Sequence, residues 1–284
     1  MDWRRVSLGL TSLQEGPQTK EKLSRQVGDL ELFLRILQAE GVQFAVDEAM
    51  VSLVCASGYG KYTLSWRLGC AVHYIDRCSS TNVIAHALLQ DGPLVVVADE
   101  QTQGRGRLGR VWSSEAGKNI LCSLILRPAV SAEKSARCSL LWAAAIAAAL
   151  ELYVKWPNDL VTKTGKKVGG ILVELADPAP TLIFGLGLNV AQTEFPDLPQ
   201  ATSLELEARS FDRAALLGML YQTIKDVALN QNLDAWRARA IHMGQRVQVN
   251  DRKGVLTGIR EDGALLIDDV PVLAGDVQLI EEGR

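Results

Sequence analysis

The sequence predicts an α+β chain in three parts: a helical segment with a β-wing at 1–68, a mixed α/β unit of catalytic size at 69–241, and a small all-β unit at 242–284. Three observations carry this. Short helix-period segments give way to alternating ones before residue 60. From about residue 70, runs rich in Val, Leu and Ile alternate with helical segments. Beyond residue 242, brief strand-like runs recur between Gly, Asp and Asn turns. At 284 residues the chain has the length of about two domains and can bury a substantial core.

In chain order, Thr19 is placed to cap a helix containing Leu23 and Val27, and a second apolar helix covers 30–38. Gly41 ends it, 42–46 alternates as a strand, another strand lies near 50–55, and Gly58-Tyr59-Gly60 forms a turn. The order is helix, helix, helix, wing. In the middle unit 94–98, 120–126, 168–175 and 181–190 are strand-like, while 81–89, 132–152 and 211–240 have helical character. Pro196 and Pro199 mark a loop before the last long helix. Five short strands follow at 244–249, 254–259, 264–267, 271–273 and 277–280, separated by turns such as Asn250-Asp251 and Asp262-Gly263. A barrel of about forty residues is marginal alone, so docking on its neighbour is expected.

Composition narrows the function. A net charge of −3 does not advertise a nucleic-acid binder. Cys55, Cys70, Cys78, Cys122 and Cys138 form no Cys-x-x-Cys pair, which suits free thiols in a reducing cytoplasm. No apolar stretch follows Met1-Asp2-Trp3-Arg4-Arg5, so no signal peptide is visible and a cytoplasmic location is expected. The longest apolar run, 138–150, is thirteen residues, short of the roughly 20 a bilayer needs, and reads as a core helix. His73, His86 and His242 lie far apart, and nothing in the chain has metal-cluster spacing.

The chemistry sits in a few segments. Gly-Arg-Gly-Arg-Leu-Gly-Arg at 104–110 combines close backbone approach with guanidinium groups that bind carboxylates and phosphates. Trp112 beside it suits stacking on a purine. Val-Lys-Trp-Pro-Asn-Asp at 154–159 gathers Lys155, Asn158 and Asp159 at a strand end, a combination packing rarely needs. Lys166-Lys167-Val168-Gly169-Gly170 adds cations at a strand start, and Gly185-Leu186-Gly187-Leu188-Asn189 puts an amide at the end of a glycine-bearing strand. Ser79-Ser80-Thr81-Asn82 precedes a helix and by itself reads equally as a plain N-cap. Together these are the parts needed to bring a small carboxylic acid to a nucleotide triphosphate.

With these motifs in this order, the chain resembles the bacterial-type biotin protein ligases over roughly 70–284. The carriers are Ser80-Thr81-Asn82, Gln101, the arginine–glycine loop, Trp112, Lys-Trp-Pro-Asn-Asp, Lys-x-Gly-Gly-Ile-Leu-Val-Glu and Gly-x-Gly-x-Asn-Val. The Lys-Trp-Pro-Asn-Asp element separates it from lipoate ligases. The resemblance implies a winged helix-turn-helix-like unit, a catalytic domain like that of class II aminoacyl-tRNA synthetases, and an SH3-like barrel. It also implies that Ser80, Thr81, Asn82, Gln101, Gly104, Arg105, Gly106, Arg107, Lys167, Gly169 and Gly170 bind biotin. Arg107, Arg110, Trp112, Lys155, Asn158, Asp159 and Asn189 would bind ATP, with Mg²⁺ accompanying the nucleotide near Asp159. Arg107, Lys155, Asp159 and Lys167 would be catalytic.

The implied reaction joins biotin and ATP into biotinoyl-5'-AMP and pyrophosphate, then transfers biotin to a lysine of the biotin carboxyl carrier protein of acetyl-CoA carboxylase or a related carboxylase. Two anions must meet, so cations and positioning dominate, and no enzyme nucleophile is needed. Asp159 is the nearest carboxylate for deprotonating the acceptor amine. A homodimer is compatible with the family. Many members also repress transcription through the winged helix. Here the twelve residues between Gly28 and Gly41 hold Asp29, Glu31 and Glu40 against Arg35 alone, and residues 1–70 balance eight Lys/Arg with eight Asp/Glu. DNA binding rests on cations that neutralise phosphates, so a DNA partner is not expected. The alternatives are a bifunctional ligase–repressor and a catalytically dead biotin-binding scaffold; intact Arg107, Lys155 and Lys167 argue against the latter.

One departure from the family concerns the C-terminal end, where some relatives place an arginine that reaches the nucleotide. This chain has Ile280-Glu281-Glu282 there, leaving Arg246, Arg252 or Arg260 to substitute.

Overall fold

The computed structural model describes residues 1–89, 94–127, 135–177, 181–196 and 198–280. The expected helix start at 132–134 and the Glu281-Glu282 pair lie outside these described residues.

The first unit begins with α1 (Trp3–Glu15), capped by the Asp2 carboxylate on the Arg4 amide, with Val6, Leu10 and Leu13 turned inward. β1 (Gln18–Thr19) leads into α2 (Lys20–Val27), where Thr19 accepts from the Lys22 amide at 3.2 Å, the expected cap. Asp29 caps α3 (Leu30–Ala39). β2 (Gln43–Val46) and β3 (Met50–Cys55) make the hairpin, and β1 adds a third strand on β3. Leu10, Leu23, Val27, Phe33, Leu37 and Val51 close a separate small core.

A further helix, α4 (Lys61–Leu68), is absent from the sequence expectation. Its first amides are satisfied from a distance, since the Glu40 carboxylate accepts from Tyr62 N and Thr63 N at 2.8 and 2.7 Å. Tyr62 and Trp66 pack on the first unit, whereas Leu64 and Leu68 are buried in the core of the second. The expected boundary at 68 therefore falls at the end of a helix that two cores share.

The second unit comprises β4 (Ala71–Cys78), α5 (Thr81–Ala87), β5 (Leu94–Gln101), β6 (Gly104–Arg105), β7 (Val111–Trp112), β8 (Ile120–Leu126), α6 (Ser135–Ala149), β9 (Tyr153–Lys155), β10 (Asp159–Val161), β11 (Lys167–Ala176), β12 (Thr181–Leu188), α7 (Arg213–Asp226) and α8 (Asp234–Arg237). Seven of these strands form one sheet in the order β4-β5-β8-β12-β11-β10-β9, antiparallel except between β4 and β5. The helix expected over 211–240 is two: α7 stops at Val227, and Asn232 restarts the chain by accepting from the Asp234 amide. Asn230-Gln231-Asn232 compete for their own backbone and favour that break. α6 ends where Glu151 turns to φ 49° and Leu152 N reaches back to Ala147 O, a left-handed stop without glycine.

Side-chain alternation divides this sheet into two faces. One carries Val95, Val97, Leu124, Phe184 and Leu186 into the main core with α6 and α7. The other carries Val96, Ile125 and Ile183 under α5. Beyond the start of α5 that second face continues in Ser123, Gly185, Gly187 and Gly170, which are too small to fill it. A cavity results.

β13 (Arg246–Val249), β14 (Arg252–Ile259), β15 (Leu265–Ile267), β16 (Val270–Val272) and β17 (Gln278–Leu279) form an antiparallel sheet in the order β16-β15-β14-β13-β17. Val247, Val249, Leu256, Ile259, Leu265 and Ile267 are continuous with the main core. Trp156 Nε1 donates to Gly263 O at 3.1 Å, so the last unit is docked as expected. All five cysteines are free, and burial pushes the Cys122 thiol up to about 12. No helix among the described residues is long and apolar enough to cross a membrane.

Candidate active site

At its polar end the cavity, of about 340 Å³, is lined by Ser80, Thr81, Asn82 and Gln101. Ser80 is the N-cap of α5 yet makes no side-chain capping bond. Gln101, at the end of the neighbouring β5, does that work: its Oε1 accepts from Thr81 N at 2.7 Å and from Thr81 Oγ1 at 3.1 Å. A plain N-cap is thus excluded, and the Ser80 hydroxyl is not spent on the helix. Asn82 lies over Gly185, where any Cβ would overlap its side chain.

The arginine–glycine segment folds as a two-stranded hairpin, with Gly104 opposite Trp112 and Arg105 opposite Val111. Its tip turns through Leu108 at φ 54° and Gly109 at φ 73°. Leu108 is 73% exposed, so the tip is a surface turn. Arg107 differs. Its Nη1 is buried without a hydrogen-bond partner, and burial lowers its pKa below the usual arginine value against the opposing pull of Asp276 and Asp159. Arg110 pairs with Asp276, which the third unit contributes to the cavity wall.

Trp112 forms one wall because Gly187 has no side chain. A Cβ there would sit 2.6 Å from Trp112 Cε2. Gly170, opposite Gly187 in the β11–β12 register, extends the bare floor. Lys167 Nζ lies 5.5 Å above the Trp112 ring and 2.7 Å from Asp159 Oδ1. The chain reaches Asp159 through a cis Trp156–Pro157 bond, so Lys155 ends β9 and Asp159 opens β10 directly opposite it. Asn158 binds Ile171 O through Nδ2 at 2.8 Å, which fixes this corner to β11. Asn189 is held by Nδ2 on Thr202 O at 2.9 Å, leaving its buried Oδ1 without a partner. Trp112 Nε1 is likewise buried and unpartnered.

The structure brings Ser80, Thr81, Asn82, Gln101, Arg105, Gly106, Arg107, Arg110, Trp112, Asn158, Asp159, Lys167, Gly170 and Asn189 into one cavity lining. Lys155, Gly104 and Gly169 are not in that lining. Gly104 packs under the Trp112 carbonyl, and Gly169 sits where a Cβ would meet Gly187 O at 2.9 Å. The sequence reading missed Phe195, Leu198, Pro199, Gln200, Ala201 and Asp276, which complete the wall. The pairing of Lys167 N with Gln200 O at 2.6 Å folds that loop over β11. Its two prolines were the available signal, but they indicate a loop and not where it goes. Among the described residues lining the cavity, Arg105 and Arg107 carry no ion pair. Two cations remain for an anionic ligand, beside two buried polar atoms that need partners. No group of three or more metal-ligating side chains is present among the described residues.

Comparison with known proteins gives this cavity a context. Residues 74–189 match the model of the biotin/lipoate A/B protein ligase family. The bifunctional ligase/repressor BirA of Bacillus subtilis (strain 168) is 34% identical, over 69% of this chain and 68% of its own. The biotin–[acetyl-CoA-carboxylase] ligase of Paracoccus denitrificans is 34% identical over 68% of this chain and 92% of its own. Among solved structures, the biotin protein ligase from Aquifex aeolicus in complex with biotin and ATP aligns with a TM-score of 0.62 and 27% identity, covering 74% of this chain and 99% of that one. The small-residue floor, the paired lysine and aspartate and the inward-turned arginine thus lie on a fold shared with these enzymes, and the chain belongs to the biotin protein ligases of the biotin/lipoate A/B protein ligase family.

Proposed function

We propose that the cavity is the active site of a biotin–[biotin carboxyl-carrier protein] ligase, which forms biotinoyl-5'-AMP from biotin and ATP and passes biotin to a carrier lysine. The observation that carries this is a single cavity with a polar end at Thr81, Asn82 and Gln101, a charged end at Lys167 and Asp159, and the unpartnered Arg107 guanidinium in the same wall. Biotin's fused-ring urea needs paired donors and acceptors, which the polar end offers. Its carboxylate and the ATP phosphates need cations, which Arg105, Arg107 and Lys167 supply.

Asn189 supports an adenine site. With Nδ2 committed to Thr202, its buried Oδ1 must accept, and adenine offers an amino donor. Trp112 would flank the base. Mg²⁺ takes few protein ligands and keeps water and phosphate oxygens, so the Asp159 carboxylate, with Asp276 nearby in the wall, would hold an ion arriving with ATP. Asp159 already accepts from Lys167, and releasing that pair would free it to take a proton from the acceptor amine. Lys155, opposite Asp159 in the β9–β10 register but outside the lining, would be a further cation for the phosphates. Asp276 gives the third unit a place in the cavity wall through its pair with Arg110, whereas Arg246, Arg252 and Arg260, the candidates to replace an arginine near residue 280, are not in the lining.

We further assign the first unit as winged-helix-like, with its boundary before Lys61, and the last as an SH3-like barrel in a cytoplasmic enzyme. Arg35 is the single cation of α3 and pairs with Glu31 at 2.9 Å, while Arg25 of α2 pairs with Glu21. These pairs favour a unit that does not read DNA. The test of the main reading is ATP- and biotin-dependent labelling of a purified biotin carboxyl carrier domain, with pyrophosphate release measured in parallel. Failure of both would overturn it.

A further inference from the structure

The loop that carries Phe195, Leu198, Pro199, Gln200 and Ala201 into the cavity wall leaves β12 after Leu188. Its far end is tied to β11, where Lys167 N donates to Gln200 O and Thr202 N donates to Lys167 O. Thr202 O in turn accepts from Asn189 Nδ2, which sets the loop at the end of the cavity read as the adenine site. The near end is held differently. Ala191 N donates to Lys118 O at 2.9 Å, but among the described residues Gln192, Thr193 and Glu194 make no main-chain hydrogen bond to another segment. The Gln192 side chain takes over there. Its Oε1 accepts from Asn119 Nδ2 at 2.6 Å and from Glu115 N at 3.1 Å, and its Nε2 donates to Glu194 O at 2.8 Å. Gln192 is 6% exposed, Asn119 is fully buried, and neither lines the cavity.

The orientation of both amides is fixed. Asn119 Oδ1 accepts from the Val190 main-chain amide at 3.0 Å, so its NH₂ faces Gln192. The Glu115 amide can only donate, so it too requires the oxygen of Gln192, and the Gln192 NH₂ is left for Glu194 O. The two segments joined in this way carry two aromatic walls of the cavity. Residues 113–119 follow directly on Trp112, and the carbonyl that Gln192 holds belongs to the peptide bond entering Phe195.

We propose that Gln192 is a positioning residue for the nucleotide, bracing the Glu194–Phe195 peptide against the segment behind Trp112 and so setting where Phe195 closes the adenine end of the cavity. This rests on the ligase reading, in which Trp112 flanks the base. Gln192 touches no substrate, and its effect falls on ATP and not on biotin.

The test compares the full-length wild type with Gln192→Met, which removes all three bonds at similar volume, and Gln192→Glu, which keeps the acceptor and removes the donor to Glu194 O. At pH 8 the introduced carboxylate stays ionised, because it accepts two N–H bonds. Biotinoyl-AMP formation is followed against ATP and against biotin, and Gln192→Met is also combined with Phe195→Ala. Both single variants should raise the ATP KM on the order of tenfold, the effect of a buried polar group left without its partner, with the biotin KM within about twofold. On the Phe195→Ala background, Gln192→Met should add less than about twofold, since residues that act through one another are not additive. If Gln192→Met does not fold, Gln192→Glu decides alone, in the single variant and on Phe195→Ala. An unchanged ATP KM, a biotin KM rising in step with it, the full effect persisting on Phe195→Ala, or loss of the fold in both variants would overturn the proposal while leaving the ligase reading intact. A wild type that forms no biotinoyl-AMP overturns both.

Discussion

Gly187→Ala probes the cavity with a single methyl group. Its Cβ would lie 2.6 Å from Trp112 Cε2 and 2.8 Å from Cζ2. Ordinary carbon contacts are about 3.5–4.0 Å, so the indole must retreat by about 1 Å. The β12 backbone cannot yield, because it is paired on both sides with β8 and β11. Trp112 can, since β7 is two residues long and pairs only with β6. Such overpacking costs about 1–3 kcal/mol. Because the indole is a wall of the cavity, the cost should fall on nucleotide binding more than on folding. The expected outcome is an ATP KM raised by about 5- to 150-fold, with Tm within a few degrees of wild type. Steady-state pyrophosphate release against ATP and biotin separately is the assay. An ATP KM within twofold of wild type would refute the placement of the base beside Trp112.

Other substitutions and truncations follow from the same geometry. Lys167→Ala should raise the biotin requirement and slow adenylation by removing both the cation and the partner of Asp159, whereas Arg107→Ala should weaken retention of biotinoyl-AMP and label bystander lysines; wild-type kinetics and selectivity in both would sink the assigned roles. A chain starting at Cys70 should be destabilised, because loss of Leu64 and Leu68 empties two buried positions at about 2–5 kcal/mol each, a large share of a typical domain's total. A chain starting at Ser57 keeps α4 and should retain adenylation; equal activity and Tm for the two truncations would show that α4 is dispensable. Hydrogen exchange across 104–112 should fall on adding biotin and ATP, as the Arg107 guanidinium gains a partner, and unchanged exchange would count against this hairpin ordering around the ligand. Mobility-shift titration with biotinoyl-AMP present should show no sequence-selective DNA binding at physiological salt; nanomolar selective binding would overturn the assignment of the first unit.

The central strands were legible because their apolar runs are long and their termini are marked by Gly, Asn and Asp. The second and third helices were legible through caps that act locally, as Thr19 does on Lys22. α1 carries a readable spacing, Val6, Leu10 and Leu13, which the sequence reading nevertheless left without bounds. α4 was not legible, because its first turn is satisfied by Glu40, more than twenty residues away. The break between α7 and α8 was marked by Asn230-Gln231-Asn232, which the reading of 211–240 as one helical run passed over.

The candidate site divides the same way. Residue types chosen for chemistry were visible in the chain: arginines among glycines, Lys-Trp-Pro-Asn-Asp, and a serine–threonine–asparagine start to a helix. Their partners were not. Gln101 caps α5 in place of Ser80, Asp276 closes on Arg110, Trp112 rests on Gly187, and Glu174 accepts from Asn82. The sequence by itself determined which groups this protein brings to a carboxylic acid and a nucleotide, since local chemistry is written in local residue types. Which of them stay free for the ligand was decided only by the tertiary structure, because a hydrogen bond or ion pair between distant strands depends on sheet register and packing, and these exist only once the whole core has formed.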